Sequence, residues 1–390
     1  MFSSLDHSMM LHALRLAKRG RFTTAPNPNV GCVIAHGDRI VGQGYHYQAG
    51  QPHAEVFALR EAGEHAKGAT AYVTLEPCSH YGRTPPCAEA LVKANVARVV
   101  CAMVDPNPKV AGRGIAILEA AGIEVQTGLL EADAAALNPG FIKRMQTGLP
   151  FVQLKLAASL DGRTALANGE SKWITSPHAR ADVQAYRAQA GAILSTSATV
   201  LADDPSLNVR WSELSADIQT DYPQANLRQP TRIIIDSQNR ISPTCRLAQL
   251  SGQTLIARRQ RDQRVWPESV LQIIVPSADT ESNDTTNTGT SSTGSTQIDL
   301  NALMKQLVRD HDINHIWVEA GAGLAGALIK ANLVDELILY QAPKLMGSDS
   351  RGLIDLLGLT SMAQVPELTI SDVRTVGPDI RITAGVSRQV

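Results

Sequence analysis

The chain has 390 residues, more than one hydrophobic core usually serves, so its length predicts two domains. Hydrophobic residues make up 44% and charged residues 19%, and 36 basic against 37 acidic residues leave a net charge of -1. This balance disfavours nucleic acid and anionic membrane surfaces as partners, because both attract a basic surplus. No apolar run approaches the roughly 20 residues that span a bilayer.

The amino end, MFSSLDHSMMLHALRLAKRG, predicts an amphipathic helix and lacks the apolar core and cleavage site of a secretory signal. The five cysteines are odd in number and sparse: Cys32, Cys78, Cys87, Cys101 and Cys245. Without an export signal we expect a cytoplasmic protein with reduced thiols, because stable disulfides are rare in the cytosol.

The first part of the chain alternates strands and helices. GCVIAHGDRIVGQGYH predicts a hairpin that turns at residues 36–38. Two helices opened by proline, PHAEVFALREAGEHA and PPCAEALVKANVA, precede the strands TAYVTLEP and RVVCAMVDP respectively. Since helices separate the strands, we expect parallel pairing with helices on both faces. A helical stretch, EADAAALNPGFIKRMQTG, closes this unit.

The second part, beyond a boundary predicted at residues 148–150, is again α/β. Its strand candidates are FVQLKLAASLDG, GAILSTSATV, RIIIDSQ, QTLIARR, LQIIVP, HIWVEA and ELILYQAP, and its helix candidates are HARADVQAYRAQA and LAGALIKANL. Residues 277–297 are nearly all Ser, Thr, Asn, Asp and Gly. Such a segment buries too little apolar surface to offset its ordering entropy, so we predict a mobile insertion inside the second domain.

Short motifs in the first part point to metal chemistry. His53-Ala54-Glu55 followed by Pro77-Cys78 makes up most of the zinc nucleobase-deaminase signature. Zinc prefers imidazole and thiolate ligands, and three protein ligands leave a position for a water whose pKa the metal lowers. Glu55 is then the proton carrier. Nearby prolines place His53 and Cys87 in the first turns of helices, where the positive helix end favours a thiolate at Cys87.

Alternatives remain at this point. Residues two apart do not share a face of a regular helix, so His53 and Glu55 converge only at an irregular helix start. Eight residues separate Cys78 from Cys87, where the signature has two. A disulfide between the two cysteines is the weakest alternative. The other alternative is that these residues are ordinary core or surface residues without a shared function. The order of the motifs along helix, strand, loop and helix favours the metal site.

Two other functions share these motifs. A nucleic-acid base deaminase would need a basic groove and stacking aromatic residues, and only 4% of this chain is aromatic. A non-catalytic binding protein would not need the complete set of His53, Glu55, Cys78 and Cys87. Both functions are therefore less favoured than an enzyme acting on a small molecule.

The motifs NPNVGCVI, HAEVFALR, TLEPCSHYGRTPPC and DPNPKVAGRG resemble the deaminase domain of the bifunctional riboflavin-biosynthesis deaminase/reductase family, which has this eight-residue cysteine spacing. LKLAASLDGRTA, SKWITS, ADDPSLNVR, IIIDS and VEAGAGLAGALI resemble its fused reductase domain. The resemblance covers nearly the whole chain apart from residues 277–297. It implies an α/β fold class, with a cytidine-deaminase-like α/β/α domain over residues 1–147 and a dihydrofolate-reductase-like α/β domain over residues 150–390.

The resemblance also implies the reactions. They are hydrolytic deamination of 2,5-diamino-6-(5-phosphoribosylamino)pyrimidin-4(3H)-one and NADPH-dependent reduction of the ribosyl group to ribityl. The implied zinc (Zn2+) ligands are His53, Cys78 and Cys87, with Glu55 as proton carrier, and the implied substrate contacts of this domain are Asn27, His46 and His80. We expect a homo-oligomer that acts on small pyrimidine ribotides, with no nucleic-acid or membrane partner.

The second domain contains a G-x-G-x-x-G at residues 321–326, between a predicted strand and helix. Taken alone it suggests a Rossmann dinucleotide site. The motif lies about 70 residues from the carboxyl end and not at the first strand of its domain. The acidic residues of the next strand, Asp335 and Glu336, stand at the start of that strand, where a ribose-binding acid is not expected. We therefore do not expect that fold. The glycines still allow a phosphate to approach the start of a helix closely. The alternative interpretation of the motif is a turn whose glycines only allow close packing of the helix against the strand.

The resemblance places this loop on NADPH. The implied cofactor positions are Ala157, Trp173, Thr199, Asp203, Ser237, Gly321, Ala322, Gly323, Leu324, Ala325, Gly326 and Ala327. The implied substrate positions are Ser171, Arg187, Leu207, Arg210 and Glu319. Arginine suits a 5′-phosphate because guanidinium binds it with two parallel hydrogen bonds, although a single arginine is more often a solvated surface charge.

Overall fold

The computed structural model describes residues 1–81, 85–108, 110–278 and 297–387. The chain divides into two units, Met1–Gly148 and Leu149–Val390. Within the described ranges, no helix combines the length and apolar character that crossing a membrane requires. The insertion predicted at residues 277–297 lies outside the described residues except at its ends, where Ser277 forms an antiparallel bridge with Ile298.

The first unit begins with a helix and then alternates strands and helices. Its helices are α1 (Ser4–Arg19), α2 (Ala54–Ala62), α3 (Cys87–Lys93), α4 (Arg113–Ala120), α5 (Glu131–Ala136) and α6 (Pro139–Thr147). Its strands are β1 (Gly31–His36), β2 (Arg39–Tyr45), β3 (Thr70–Val73), β4 (Arg98–Cys101) and β5 (Glu124–Thr127). They form one sheet in the order β2-β1-β3-β4-β5.

This sheet is mixed and not wholly parallel. The pair β3-β4 is parallel, as predicted, and β4-β5 is parallel as well. Strand β1 is antiparallel to β2, as the predicted hairpin requires, but it is also antiparallel to β3. The hairpin reverses the chain before α2, so the prediction of parallel pairing is wrong for β1 and β3. Helix α4 and strand β5 were not predicted. The closing helical stretch is two helices, because Pro139 cannot continue α5 and instead opens α6.

Helices cover both faces of this sheet. Along β1, Cys32 and Ile34 pack in one core with α2, whereas Val33 and Ala35 pack in the other core with α1. The two-residue period of a strand explains this division, since successive side chains point to opposite faces. The result is an α/β/α sandwich in which the start of α2 and the end of β3 contribute to one site.

The second unit is built around a long sheet. Its helices are α7 (Pro177–Gln189), α8 (Ser197–Asp203), α9 (Ala216–Asp221), α10 (Arg246–Gln249), α11 (Leu300–His311) and α12 (Ala322–Lys330). Its strands are β6 (Phe151–Ser159), β7 (Arg163–Ala165), β8 (Ala192–Thr196), β9 (Thr231–Ile235), β10 (Thr254–Arg258), β11 (Val270–Ile274), β12 (His315–Glu319), β13 (Glu336–Ala342), β14 (Arg351–Gly352), β15 (Leu368–Val376) and β16 (Asp379–Val386).

The strand order is β11-β10-β9-β8-β12-β6-β13-β16-β15, with β14-β7 as a separate pair. Pairing is parallel from β11 to β13, and β16 and β15 add an antiparallel edge. The carboxyl ends of β6, β8, β9 and β12 therefore lie along one edge, where open α/β sheets bind ligands. One predicted strand is too long: the chain turns helical at Ser197, where Thr196 accepts a hydrogen bond from Thr199 N and caps α8.

Candidate active sites

The three predicted zinc ligands lie together in the first unit. His53 Nδ1 is 3.5 Å from Cys78 Sγ and 3.4 Å from Cys87 Sγ, and the three ligand atoms lie within 4.8 Å of one another. One imidazole and two thiols form the donor set of a three-ligand zinc site. These residues therefore fit a zinc ion.

Helix starts position these ligands. His53 is the N-cap residue of α2 with an extended backbone (φ -73°, ψ 166°), and not a first-turn residue as predicted. This irregular start allows His53 and Glu55 to converge. Cys87 is the first residue of α3, and its backbone N–H donates to Cys78 Sγ at 3.3 Å. The start of α3 therefore stabilises the sulfur of Cys78.

The thiols of Cys78 and Cys87 shift each other's pKa in opposite directions. The side-chain hydrogen bond from Cys87 lowers the pKa of Cys78 to about 4 despite the opposing effect of burial, and His53 contributes to the shift. The same hydrogen bond, together with burial, raises the pKa of Cys87. A thiolate at Cys87, which the helix start favours, stays a prediction, and zinc binding would have to displace the proton of Cys87.

Glu55 is positioned for proton transfer. It is only 3% exposed and lies in the first turn of α2. Its Oε2 atom has no hydrogen-bond partner among the described residues. Burial raises the pKa of Glu55 to about 7, although the charge of His53 opposes the shift. A carboxyl with an available oxygen and a pKa near neutrality suits a general acid and base.

Asn27 and His46 form a hydrogen-bonded pair beside the cluster, with Asn27 Nδ2 3.1 Å from His46 Nε2. His46 Nδ1 lies 3.1 Å from Pro52 O, which can only accept, so we assign the proton to Nδ1. The His46 ring meets the His53 ring edge-on, with centroids 5.6 Å apart. The third predicted contact, His80, is exposed two residues after Cys78.

In the second unit a cavity of about 1320 Å³ opens at the carboxyl ends of the parallel strands. The predicted residues that line it are Ala157, Ser171, Trp173, Arg187, Thr199, Asp203, Leu207, Arg210, Ser237, Glu319, Gly321, Ala322, Gly323 and Leu324. Ala325 and Gly326 are instead buried inside α12, and Ala327 follows them along the helix. The cavity is large enough for a dinucleotide together with a second small molecule.

The three glycines of the loop have different roles. A Cβ at Gly321 would meet no atom within 4 Å, and one at Gly323 would meet only Asp355 Oδ2, at 3.7 Å. A Cβ at Gly326 would lie 2.0 Å from Asp355 O. Packing therefore requires Gly326, while Gly321 and Gly323 leave the start of α12 open to the cavity. First-turn N–H groups have no partner within their helix and suit a phosphate, so these residues fit the diphosphate of NADPH.

Glu319 and Arg187 form a buried ion pair next to this loop. Arg187 Nε and Nη2 donate to Glu319 Oε1 and Oε2 at 2.6 and 2.8 Å, and Trp317 Nε1 donates to Oε1 at 2.8 Å. Burial alone would raise the pKa of Glu319, but Arg187 and these hydrogen bonds lower it to about 2. Arg187 also donates to Asn208 O at 2.9 Å, so its guanidinium is bonded to groups of the protein itself.

Other predicted residues at the cavity are more accessible. Arg210 is paired with Glu213, yet its side chain is 42% exposed. Trp173 is 65% exposed, and the guanidinium of Arg180 lies 4.4 Å from its ring centroid. Leu207 is buried in the left-handed region at φ 44°, a conformation uncommon for leucine.

Lys155 was not predicted but lines the same cavity from β6. Burial lowers its pKa, and the charge of Glu319 opposes that shift. The sequence signal for Lys155 is that it is the only charged residue of a mostly apolar strand, FVQLKLAAS, because lysine is seldom buried without a partner.

Two family models match the chain. The RibD C-terminal domain matches residues 150–382, and the cytidine and deoxycytidylate deaminase zinc-binding region matches residues 3–103. The riboflavin biosynthesis protein RibD of Escherichia coli (strain K12) is 60% identical over 375 residues, which cover 96% of this chain and 98% of that protein. The chain belongs to the RibD family. The RibD protein of Haemophilus influenzae is 52% identical over 386 residues, 98% of each chain.

Solved structures of RibD proteins agree with this assignment. RibD from Acinetobacter baumannii matches with a TM-score of 0.87 at 44% identity, over 98% of this chain and 99% of that one. The Thermotoga maritima diaminohydroxyphosphoribosylaminopyrimidine deaminase/5-amino-6-(5-phosphoribosylamino)uracil reductase matches with a TM-score of 0.82 at 28% identity, over 98% and 99%. The predicted fold class is confirmed. This RibD-family chain is a bifunctional deaminase and reductase of riboflavin biosynthesis that uses zinc and NADPH.

Proposed function

We propose that residues 1–147 deaminate 2,5-diamino-6-(5-phosphoribosylamino)pyrimidin-4(3H)-one to 5-amino-6-(5-phosphoribosylamino)uracil, and that residues 150–390 reduce the ribosyl group of this product to ribityl. The Thermotoga relative is named for both activities. The observation that carries the proposal is the presence in one chain of a His/Cys/Cys cluster beside Glu55 and a cavity with an open glycine loop.

In the deaminase site, His53, Cys78 and Cys87 hold zinc, which when bound supplies an activated water for hydrolysis. Glu55 transfers a proton to the ring nitrogen beside the attacked carbon and later to the departing ammonia. The position of Oε2, buried and without a hydrogen-bond partner in the part of the chain that the structure describes, supports this role. We assign substrate contacts to the Asn27–His46 pair and to His80.

In the reductase site, NADPH supplies a hydride to C1′ of the opened sugar. We propose that the backbone at Gly321–Gly323 binds the diphosphate, and that α12 continues through Ala325–Ala327 to hold this turn. The other cofactor contacts are assigned to Ala157, Trp173, Thr199, Asp203, Ser237 and Leu324.

The substrate of the reductase is assigned to the same cavity. Because it is accessible, Arg210 is the better candidate for the 5′-phosphate, whereas Arg187 orients Glu319. Ser171 and Leu207 complete the proposed substrate contacts.

Incubation with the diaminopyrimidine ribotide, followed by mass spectrometry of the products, tests the proposal. Without NADPH we expect replacement of one amino group by oxygen and release of ammonia. With NADPH the product should gain two further hydrogens. A zinc-loaded, folded protein that released no ammonia, or that reduced no deaminated ribotide with NADPH, would contradict the assignment.

We also propose that the enzyme is cytoplasmic and homo-oligomeric. All five cysteines are unbridged, and the two that bind zinc must remain reduced. The edge strand β15 exposes Leu368, Ile370 and Val373 at 47%, 60% and 58%, which favours association with another copy. Light scattering of the purified protein tests the second proposal, and a monomer at micromolar concentration would contradict it.

A further inference from the structure

Glu76 is a buried carboxylate, 3% exposed, two residues before the zinc ligand Cys78. Its own N–H donates to Met103 O at 3.0 Å. Its two carboxylate oxygens accept hydrogen bonds from the backbone N–H groups of Asp105 (3.1 Å), Gly112 (3.0 Å), Gly114 (2.8 Å) and Ile115 (3.4 Å). All four donors belong to the described stretches 105–108 and 110–115.

This carboxylate caps helix α4 from a distant part of the chain. The N-cap residue of α4 is Gly112, at φ 76°, which has no side chain to accept a hydrogen bond. Gly114 and Ile115 are the second and third helical residues, whose N–H groups an N-cap side chain normally satisfies. A negative charge at this end also interacts favourably with the helix dipole.

The backbone packing between the two segments is close as well. A Cβ at Gly114 would lie 2.0 Å from Pro77 O, so only glycine allows this approach. The carboxylate of Glu76 and the contact between Gly114 and Pro77 therefore hold Asp105 and residues 112–115 against the turn that carries Cys78.

Asp105 connects this segment with the deaminase site. Because Glu76, which accepts its N–H, stands two residues before Cys78, Asp105 lies next to the turn that carries this zinc ligand. Its conformation is held from both sides: its N–H donates to Glu76, and its Oδ1 accepts from Asn107 N at 2.8 Å.

We propose that Glu76 is a positioning residue of the deaminase, which holds Asp105 and residues 112–115 so that Asp105 forms one side of the substrate pocket. The inference rests on the proposed deaminase function. Loss of the carboxylate should displace this side of the pocket, while His53, Cys87 and Glu55 keep their own helix positions. Substrate binding should therefore weaken more than the chemical step.

The test is Glu76→Gln in the full chain. Glutamine keeps the size of the side chain but retains one acceptor oxygen and turns an NH2 group toward backbone donors. We expect the KM for the diaminopyrimidine ribotide to rise about tenfold, with a much smaller change in kcat. Zinc content and reduction of supplied deaminated ribotide should stay at wild-type levels. The matched control is Glu119→Gln, which removes an exposed carboxylate from the same helix and should leave KM unchanged.

Gly114→Ala gives an independent perturbation, because its Cβ would push the same segment away from Pro77 while Glu76 remains. It should reproduce the rise in KM, and it decides the question if Glu76→Gln does not fold. An unchanged KM, a fall in kcat alone, or a loss of zinc in the folded variant would overturn the proposal. Failure of the zinc-loaded wild type to release ammonia would overturn the deaminase function itself, and this inference with it.

Discussion

Arg187 on α7 and Glu319 at the end of β12 form a bidentate ion pair at 2.6 and 2.8 Å, with side chains only 11% and 16% exposed. Burial disfavours the charge on Glu319, yet Arg187 lowers its pKa to about 2. The pair therefore joins a helix to the central sheet beside the cofactor loop, and its strength depends on pH.

The second domain should lose this stabilisation in acid. A carboxyl whose pKa is lower when folded stabilises the fold above its unfolded pKa, near 4.5, and this contribution is lost as pH falls toward 2. We expect a loss of up to about 3 kcal/mol from this group between about pH 5 and pH 2. Glu319→Gln should be less stable at pH 7 and show a flatter pH dependence.

Denaturant unfolding followed by tryptophan fluorescence measures this effect, because all four tryptophans lie in the second unit. The wild type and Glu319→Gln should be compared across the acid range. Equal slopes of unfolding free energy against pH in the two proteins would show that the pair does not carry the acid sensitivity.

We predict one zinc ion per chain. Cys78→Ser should abolish deamination and lower stability, because the metal ties the starts of two helices to a loop. Metal analysis of the purified proteins is the measurement, and Cys245→Ser, in the second unit, is the control that should keep zinc. The ligand assignment would be wrong if a Cys78→Ser, Cys87→Ser double variant retained stoichiometric zinc.

Gly323→Ala and Gly326→Ala should fail in different ways. At Gly326 the new Cβ would overlap Asp355 O, so we expect a loss of stability of about 1–3 kcal/mol. At Gly323 it has room, so the fold should persist while NADPH binds more weakly. Thermal unfolding and NADPH titration separate the two effects. Normal NADPH affinity in Gly323→Ala would argue against a phosphate at this turn.

Arg210→Ala should impair reduction alone. Loss of a charge-assisted contact to the 5′-phosphate typically costs about 1.5–3 kcal/mol, which should raise the KM for the deaminated ribotide at least tenfold. Ammonia release from the diaminopyrimidine ribotide is the control and should be unchanged. An equal loss of both activities would mean that Arg210 supports the fold and not a substrate contact.

The sequence predicted which zinc-ligand motifs come together better than it predicted how the strands pair and where they end. Parallel strands between proline-opened helices, and the order of His53, Cys78 and Cys87 along them, were readable because each rests on local patterns. The antiparallel β1–β3 pairing was missed because hairpin direction, and not helix spacing, decides it. Strand β8 was overextended because capping of α8 by Thr196 overrides the β-branched composition of this stretch.

Long-range contacts explain what the sequence could not provide. Glu76 was visible only as part of the motif TLEPC, since its four backbone donors lie 29 to 39 residues away. The three glycines of the cofactor loop look equivalent in sequence, but Asp355 distinguishes Gly326 from the other two. The hydrogen bond from Cys87 N to Cys78 Sγ is likewise a contact of the folded chain, which the motif alone does not reveal.

The central claim is that two independent sites carry out the two steps, and Glu55→Gln tests it most directly. Glutamine is nearly isosteric but cannot carry the proton, so ammonia release should fall by a factor of about 10² to 10⁴. Zinc should be retained, and NADPH-dependent reduction of supplied deaminated ribotide should stay near the wild-type rate. Loss of both activities in a folded, zinc-loaded Glu55→Gln variant would contradict the account.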